Sequence, residues 1–242
     1  MRFDWSDWEA TSPNCGRVGR VLLVAHVREQ LLQISLWILP VLVAVIFHEV
    51  AHGYAAEALG DDTAKRAGRL TLNPLPHIDP LGSVILPLLL LISNSGFLFG
   101  WAKPVPVNFA RLRNPKRDMV LVAAAGPITN LAIAAASALV FHWVKVHAGH
   151  GSDVVFERIF YPLAMIAQRS VLMNVFLGVF NLIPIPPLDG GRVLAGLLPL
   201  DWARQFAKIE PFGFVILLVL LMSHTLGLIL RQPIQLILDV LL

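Results

Sequence analysis

The pentapeptide His48-Glu49-Val50-Ala51-His52 closes an apolar run that begins at Leu31. On a helix, two histidines four residues apart share one face. That spacing grips zinc, and the glutamate beside them is placed to act as a general base. In a soluble enzyme such a helix is amphipathic. Here residues 31–47 offer only Gln33 and Ser35 as polar side chains, so nothing keeps the helix out of lipid. The motif points to a hydrolytic zinc site inside a membrane.

Composition agrees with this. The 242 residues are 56% hydrophobic and 14% charged, with a mean hydropathy of +0.69. Soluble domains carry about 25% charged residues, so the chain reads as a polytopic membrane protein. The single cysteine, Cys15, excludes an intramolecular disulfide and a cysteine-rich metal cluster, which leaves His and carboxylates as ligands. The net charge of +3 does not indicate nucleic acid, because the Lys and Arg residues sit in short loops between apolar runs. The first residues carry Asp4, Asp7 and Glu9 with Trp5 and Trp8, unlike a signal peptide, so the first apolar run is expected to be a retained span.

A membrane-spanning helix needs about 20 apolar residues. Residues 31–59, 119–146, 161–183 and 211–230 qualify, and 81–100 is a weaker fifth case interrupted by Ser93-Asn94-Ser95-Gly96. Residues 234–242 are too short to cross and are expected at the interface or against the bundle. The expected fold class is α, a polytopic transmembrane helical bundle. Residues 1–30 form an interfacial or flexible extension, and residues 31–242 form one domain. No appended peptide-binding domain is expected, because residues 1–30 and 234–242 are too short for one.

Loop charge sets the orientation. Residues 61–80 carry Lys65, Arg66 and Arg69, and residues 101–118 carry Lys103, Arg111, Arg113, Lys116 and Arg117. Both loops favour the cytoplasm. Segment 81–100 then makes no net crossing and forms a re-entrant or short extended insert between the first and second core helices. Backbone of that kind is tolerated at depth only under cover of protein or a water cavity. Arg17, Arg20 and Arg28 before the first span oppose this orientation.

Two histidines leave a catalytic zinc one protein ligand short. Asp189 is the best candidate. It follows Asn181-Leu182-Ile183-Pro184-Ile185-Pro186-Pro187-Leu188, where three prolines end a helix, and it precedes Gly190-Gly191, which permits a tight turn. A carboxylate at such a break is a functional candidate, and that reading is favoured over an ordinary Asp-Gly turn at the interface. With no net crossing by residues 81–100, His48, His52 and Asp189 arrive at one depth near the cytoplasmic face.

Together, His48-Glu49-Val50-Ala51-His52, Ala125-Gly126-Pro127-Ile128-Thr129-Asn130 and the stretch from Asn181 to Arg192 resemble the site-2 protease family of intramembrane zinc metalloproteases. Gly68-Arg69-Leu70-Thr71-Leu72-Asn73-Pro74 and Gly100-Trp101-Ala102-Lys103-Pro104-Val105-Pro106-Val107-Asn108 resemble its compact bacterial branch. The resemblance implies a peptidase acting on transmembrane protein substrates in the lipid bilayer of a cell membrane, the bacterial inner membrane. It implies one Zn2+ held by His48, His52 and Asp189, with Glu49 as the base. It also implies Asn181 near the site as a donor to the substrate backbone or the developing oxyanion. The segment holding Pro104, Pro106 and Asn108 would pair with an unwound substrate strand, or it is a plain loop.

Other residues have plainer readings. Gly126 with Ala123 to Ala125 suits close helix approach, and Asn130 suits a bond across helices. His77 reads as a loop histidine capping a turn, with lining the site or binding a second metal as the bolder alternatives. His26, His142, His147, His150 and His224 lack partners at ligand spacing, and Tyr54, Phe47 and Trp37 suit packing or the interface. A metal or proton transporter using the same His/Glu/Asp cluster is the alternative function, although no repeated half supports it. An inactive adaptor is a second rival, and an intact Glu49 argues against it.

Overall fold

The computed structural model describes residues 15–93, 100–147, 156–223 and 225–242. Among them there is no strand, and helices carry the architecture. Helix α1, Cys15–Ala58, is continuous over 44 residues. It begins well before the expected span, so residues 15–30 of the presumed extension are helical. Residues 1–14 lie outside the described residues. At its far end Gly60 adopts φ 112°, and the Asp61 N–H reaches back to the Ala56 carbonyl at 2.9 Å. This positive-φ stop is the glycine C-cap that ends a helix sharply.

The insert that follows holds a short helix α2, Thr63–Arg66, and an apolar helix α3, Leu86–Ile92. Asp79 starts the helical run that leads into α3 by accepting from the N–H groups of Leu81 and Gly82. The Asp79 N–H in turn donates to the Ser83 hydroxyl, a reciprocal cap. The backbone N–H of Trp101 donates to the Gly82 carbonyl, and Ser83 Oγ donates to the Trp101 carbonyl. The two ends of the 81–100 segment therefore lie side by side. Residues 94–99, which include most of its Ser93–Gly96 interruption, are outside the described residues.

Helix α4, Pro115–His147, is the central strut. It packs against α1, against α5 (Tyr161–Asn181) and against α6 (Asp189–Leu197), while α1 also meets α5. Ala134 and Ala138 of α4 face Val171 and Val175 of α5, all buried. Small residues at such a face let helices approach closely where lipid supplies no hydrophobic driving force.

Four helical stretches among the described residues are long and apolar enough to cross a membrane: Leu32–Ala58, Pro115–His147, Arg158–Asn181 and Leu200–Met222. The molecule is a multi-pass membrane protein. The last stretch corrects the expected span over residues 211–230. It comprises α7 (Leu200–Ala207) and α8 (Gly213–Met222), and a separate helix α9 (Thr225–Leu241) follows. The apolar pattern runs through the break, but Ser223 Oγ bonds the Leu220 carbonyl and the Thr225 hydroxyl and gives the backbone another partner. Residues 234–242 belong mostly to α9 and pack Ile234, Ile237, Leu238 and Leu241 on the α4–α5 core.

Candidate metal centre

Helix periodicity places His48 and His52 on one face of α1, and the proline-broken turn after α5 delivers Asp189 as the first residue of α6. The three side chains are buried and converge. His48 Nε2 lies 3.1 Å from His52 Nε2. Asp189 Oδ2 lies 3.1 Å from His48 Nε2 and 3.3 Å from His52 Nε2. Ligands about 2.0–2.1 Å from a tetrahedral zinc stand about 3.3–3.4 Å apart, close to this triangle.

The chemistry of the donor set fits a cation. His52 Nδ1 bonds the Val122 carbonyl at 2.7 Å, and a carbonyl only accepts, so the ring proton sits there and Nε2 presents a lone pair. Asp189 Oδ2 is buried with no hydrogen-bond partner. A buried anion beside a ring lone pair, with no proton to share, calls for a positive ion.

Glycines shape the cradle. A Cβ on Gly126 would stand 2.4 Å from His52 Nε2 and 2.7 Å from His48 Cε1, so α4 can back the imidazoles only with glycine there. A Cβ on Gly190 would meet the Leu182 carbonyl oxygen at 2.2 Å, which explains why the turn can fold down onto the start of α6.

Peptidase family M50 matches residues 36–224, most of the chain. The chain belongs to this family, that of the site-2 proteases. Among curated relatives it is 37% identical over 196 residues to "Putative zinc metalloprotease YwhC" of Bacillus subtilis, covering 77% of this chain and 80% of the relative. It is 34% identical over 190 residues to "Putative zinc metalloprotease Rip2" of Mycobacterium tuberculosis, and 29% identical over 188 residues to the Rip2 of Mycolicibacterium smegmatis. Those two alignments cover 77% of this chain and 66% of each relative. No solved structure matches. As an M50 member the chain is a metalloprotease whose metal is zinc, and His48, His52 and Asp189 form a cluster positioned to hold it.

The M50 motif glutamate is tied to the insert. Glu49 Oε2 accepts from the Val105 N–H at 2.8 Å. Val105 lies in a segment without regular secondary structure whose N–H groups are spoken for at alternate residues: Trp101 to the Gly82 carbonyl, Lys103 to the His77 carbonyl, Val105 to Glu49. Arg69 Nη2 donates to the Lys103 carbonyl at 2.7 Å and the Pro104 carbonyl at 3.3 Å. Beyond the prolines, the Asn108 N–H donates to Asp61 Oδ2 at 2.6 Å. The Arg192 guanidinium, on α6, covers the Phe109 ring at 5.5 Å. The segment is thus braced at both ends beside the candidate site.

Asp61 is the firmest of these braces. It is buried, and burial pushes its carboxyl up. Hydrogen bonds from the Thr63 hydroxyl and the backbone N–H groups of Asn108 and Thr63 more than offset this and lower it below the usual carboxylate range.

Asn181 ends α5, and its side-chain amide donates to the Leu177 carbonyl at 3.0 Å, one turn back in its own helix. His77 is buried with Nε2 on the Thr71 carbonyl at 2.9 Å, as its turn-capping reading expects, and it is not among the clustered ligands. Sequence reasoning missed Val105, Arg69 and Asp61 as supports. The adjacency of Gly68-Arg69 and Pro104-Val105-Pro106 to an otherwise apolar chain was the available signal.

Proposed function

We propose that this M50 member is an intramembrane zinc metallopeptidase that hydrolyses peptide bonds within or near transmembrane segments of other membrane proteins. His48, His52 and Asp189 hold one zinc ion, Glu49 is the general base, and Asn181 donates to the substrate backbone or the developing oxyanion. The observation that carries this reading is the triangle of His48, His52 and Asp189, two of whose members stand on a helix that is itself a candidate span. From His48 to Ala58, the end of that span, is a rise of about 15 Å, so the site stands inside the hydrocarbon depth of about 30 Å.

Zinc, when bound, supplies a water whose pKa falls to about 7. The chain's own residues do the rest. Glu49, adjacent to His48 and oriented by the Val105 N–H, accepts the proton from the attacking water and returns one to the leaving amine. Asn181 would have to turn its amide from the Leu177 carbonyl toward the substrate. The extended edge at 101–108 is a template for an unwound substrate strand. Its prolines at 104 and 106 remove donors, so pairing there rests on carbonyls.

Segment 81–100 re-enters on the side from which it leaves, a reading supported by the Gly82–Trp101 bond. Both basic loops then share the cytoplasmic face of the cell membrane, with the site toward it. Hydrolysis is favoured over transport because the glutamate between the histidines is held by the same segment that offers a strand edge. The test is reconstitution in liposomes with a single-span protein. Cleavage should vanish with a chelator and return with zinc. Cleavage indifferent to both would refute the proposal.

A further inference from the structure

Behind His48 runs a buried chain of hydrogen bonds that crosses three helices. His48 Nδ1 meets Asn130 Oδ1 on α4 at 2.5 Å. Asn130 Nδ2 donates to the Ala44 carbonyl on α1 at 3.0 Å and to Asn174 Oδ1 on α5 at 2.8 Å. Asn174 Nδ2 donates to the Ser170 carbonyl at 2.9 Å. Asn130 and Asn174 are wholly shielded from solvent, each at 0% exposure.

Two backbone carbonyls fix the direction of every bond in this chain. The Ser170 carbonyl can only accept, so Asn174 must turn its NH2 toward it and its Oδ1 toward Asn130. The Ala44 carbonyl also only accepts, so the Asn130 NH2 spends both protons on Ala44 and Asn174. Asn130 Oδ1 is then left facing His48 and can only accept. The ring proton of His48 therefore sits on Nδ1, and Nε2 is a bare lone pair aimed at His52 and Asp189. Flipping the Asn130 amide would set Oδ1 against two acceptors in a site shielded from solvent, a cost of about 1–3 kcal/mol for each group left unpaired.

We infer that Asn130, itself oriented by Asn174, is a positioning residue for the metal: it locks His48 in the tautomer whose Nε2 can bind zinc. His52 receives the same service from the Val122 backbone, which no side-chain substitution can remove. Asn130 is the half of this second layer that the sequence controls. Outer partners of this kind set ligand tautomer and orientation, and losing one weakens metal binding about 10–100-fold. The inference rests on the proposed role of His48 as a ligand.

Zinc competition against a chelator, on purified protein in detergent, tests it. Asn130→Leu, close in shape but without polar atoms, should weaken zinc binding by about 10–100-fold. Asn130→Asp keeps an acceptor at His48 Nδ1 and should bind more tightly than Asn130→Leu. Ser137→Ala removes only the Ser137–Ser170 hydroxyl contact, beyond the carbonyl that sets the polarity, and should match the parent. Nitrogen NMR of the zinc-loaded parent with labelled histidine reads the tautomer directly, whatever the variants do to folding. It should show His48 protonated at Nδ1. A proton on Nε2, or zinc binding by folded Asn130→Leu at parental strength, would overturn the inference. His48→Ala separates the two layers: if that variant keeps parental zinc affinity, the ligand assignment itself falls.

Discussion

Glu49 and Val105 are joined by a 2.8 Å hydrogen bond from a backbone N–H to a carboxylate oxygen, across 56 residues of sequence. The bond couples the motif helix to the segment that lies beside it. It fixes where the carboxylate stands relative to the ligand triangle. Val105→Pro deletes the donor in a segment that already tolerates proline on either side. A hydrogen bond to a charged group contributes about 1.5–3 kcal/mol, so cleavage of a membrane substrate should fall roughly 10–100-fold with zinc content unchanged. Metal analysis and a cleavage assay on the same preparation check this.

Gly126→Ala should cripple the metal centre without touching a ligand. The added methyl would lie within 2.4 Å of His52 Nε2, so an imidazole must move. A displacement of about 1 Å in catalytic geometry costs about 10²-fold in rate. Zinc content measured after purification should drop with activity, while helical content by circular dichroism stays at the parental level.

Asp189→Asn removes the anionic ligand and leaves its shape. Zinc occupancy should fall, because the amide carries no negative charge into a site where two imidazoles supply none. Normal metal content in that variant would rule Asp189 out as a ligand.

Asp61 predicts a pH dependence for the insert. Its folded pKa lies below the unfolded value of about 3.9. Its contribution is therefore present above about pH 4 and is lost as the pH falls through the folded value. Hydrogen exchange at the Asn108 amide, corrected for intrinsic rate, should lose protection on acidification in the parent. Asp61→Asn should lose that protection at neutral pH and show no further acid step.

The helical membrane fold and the three converging side chains were legible in the sequence for physical reasons. His48 and His52 declare themselves by helical spacing, and Asp189 by prolines that break a span before Gly190-Gly191. The supporting layer was not legible. Asn130 and Asn174 look like isolated polar residues in apolar helices until the packing of α4 against α5 makes them neighbours. Asp61 reads as a loop acid until the insert returns to cover it. The break after Ser223 is hidden because hydropathy continues on both sides of it. Gly126 suits packing and function equally in the sequence, and what it packs against is the two imidazoles.

The central claim is that Glu49 serves as the base of a zinc peptidase working within the membrane. Glu49→Gln, reconstituted in liposomes with a single-span substrate, tests it most directly. Zinc should remain at the parental level while cleavage falls by about 10²–10⁴-fold, the usual contribution of a positioned base. Cleavage at the parental rate by the zinc-loaded variant would contradict the account.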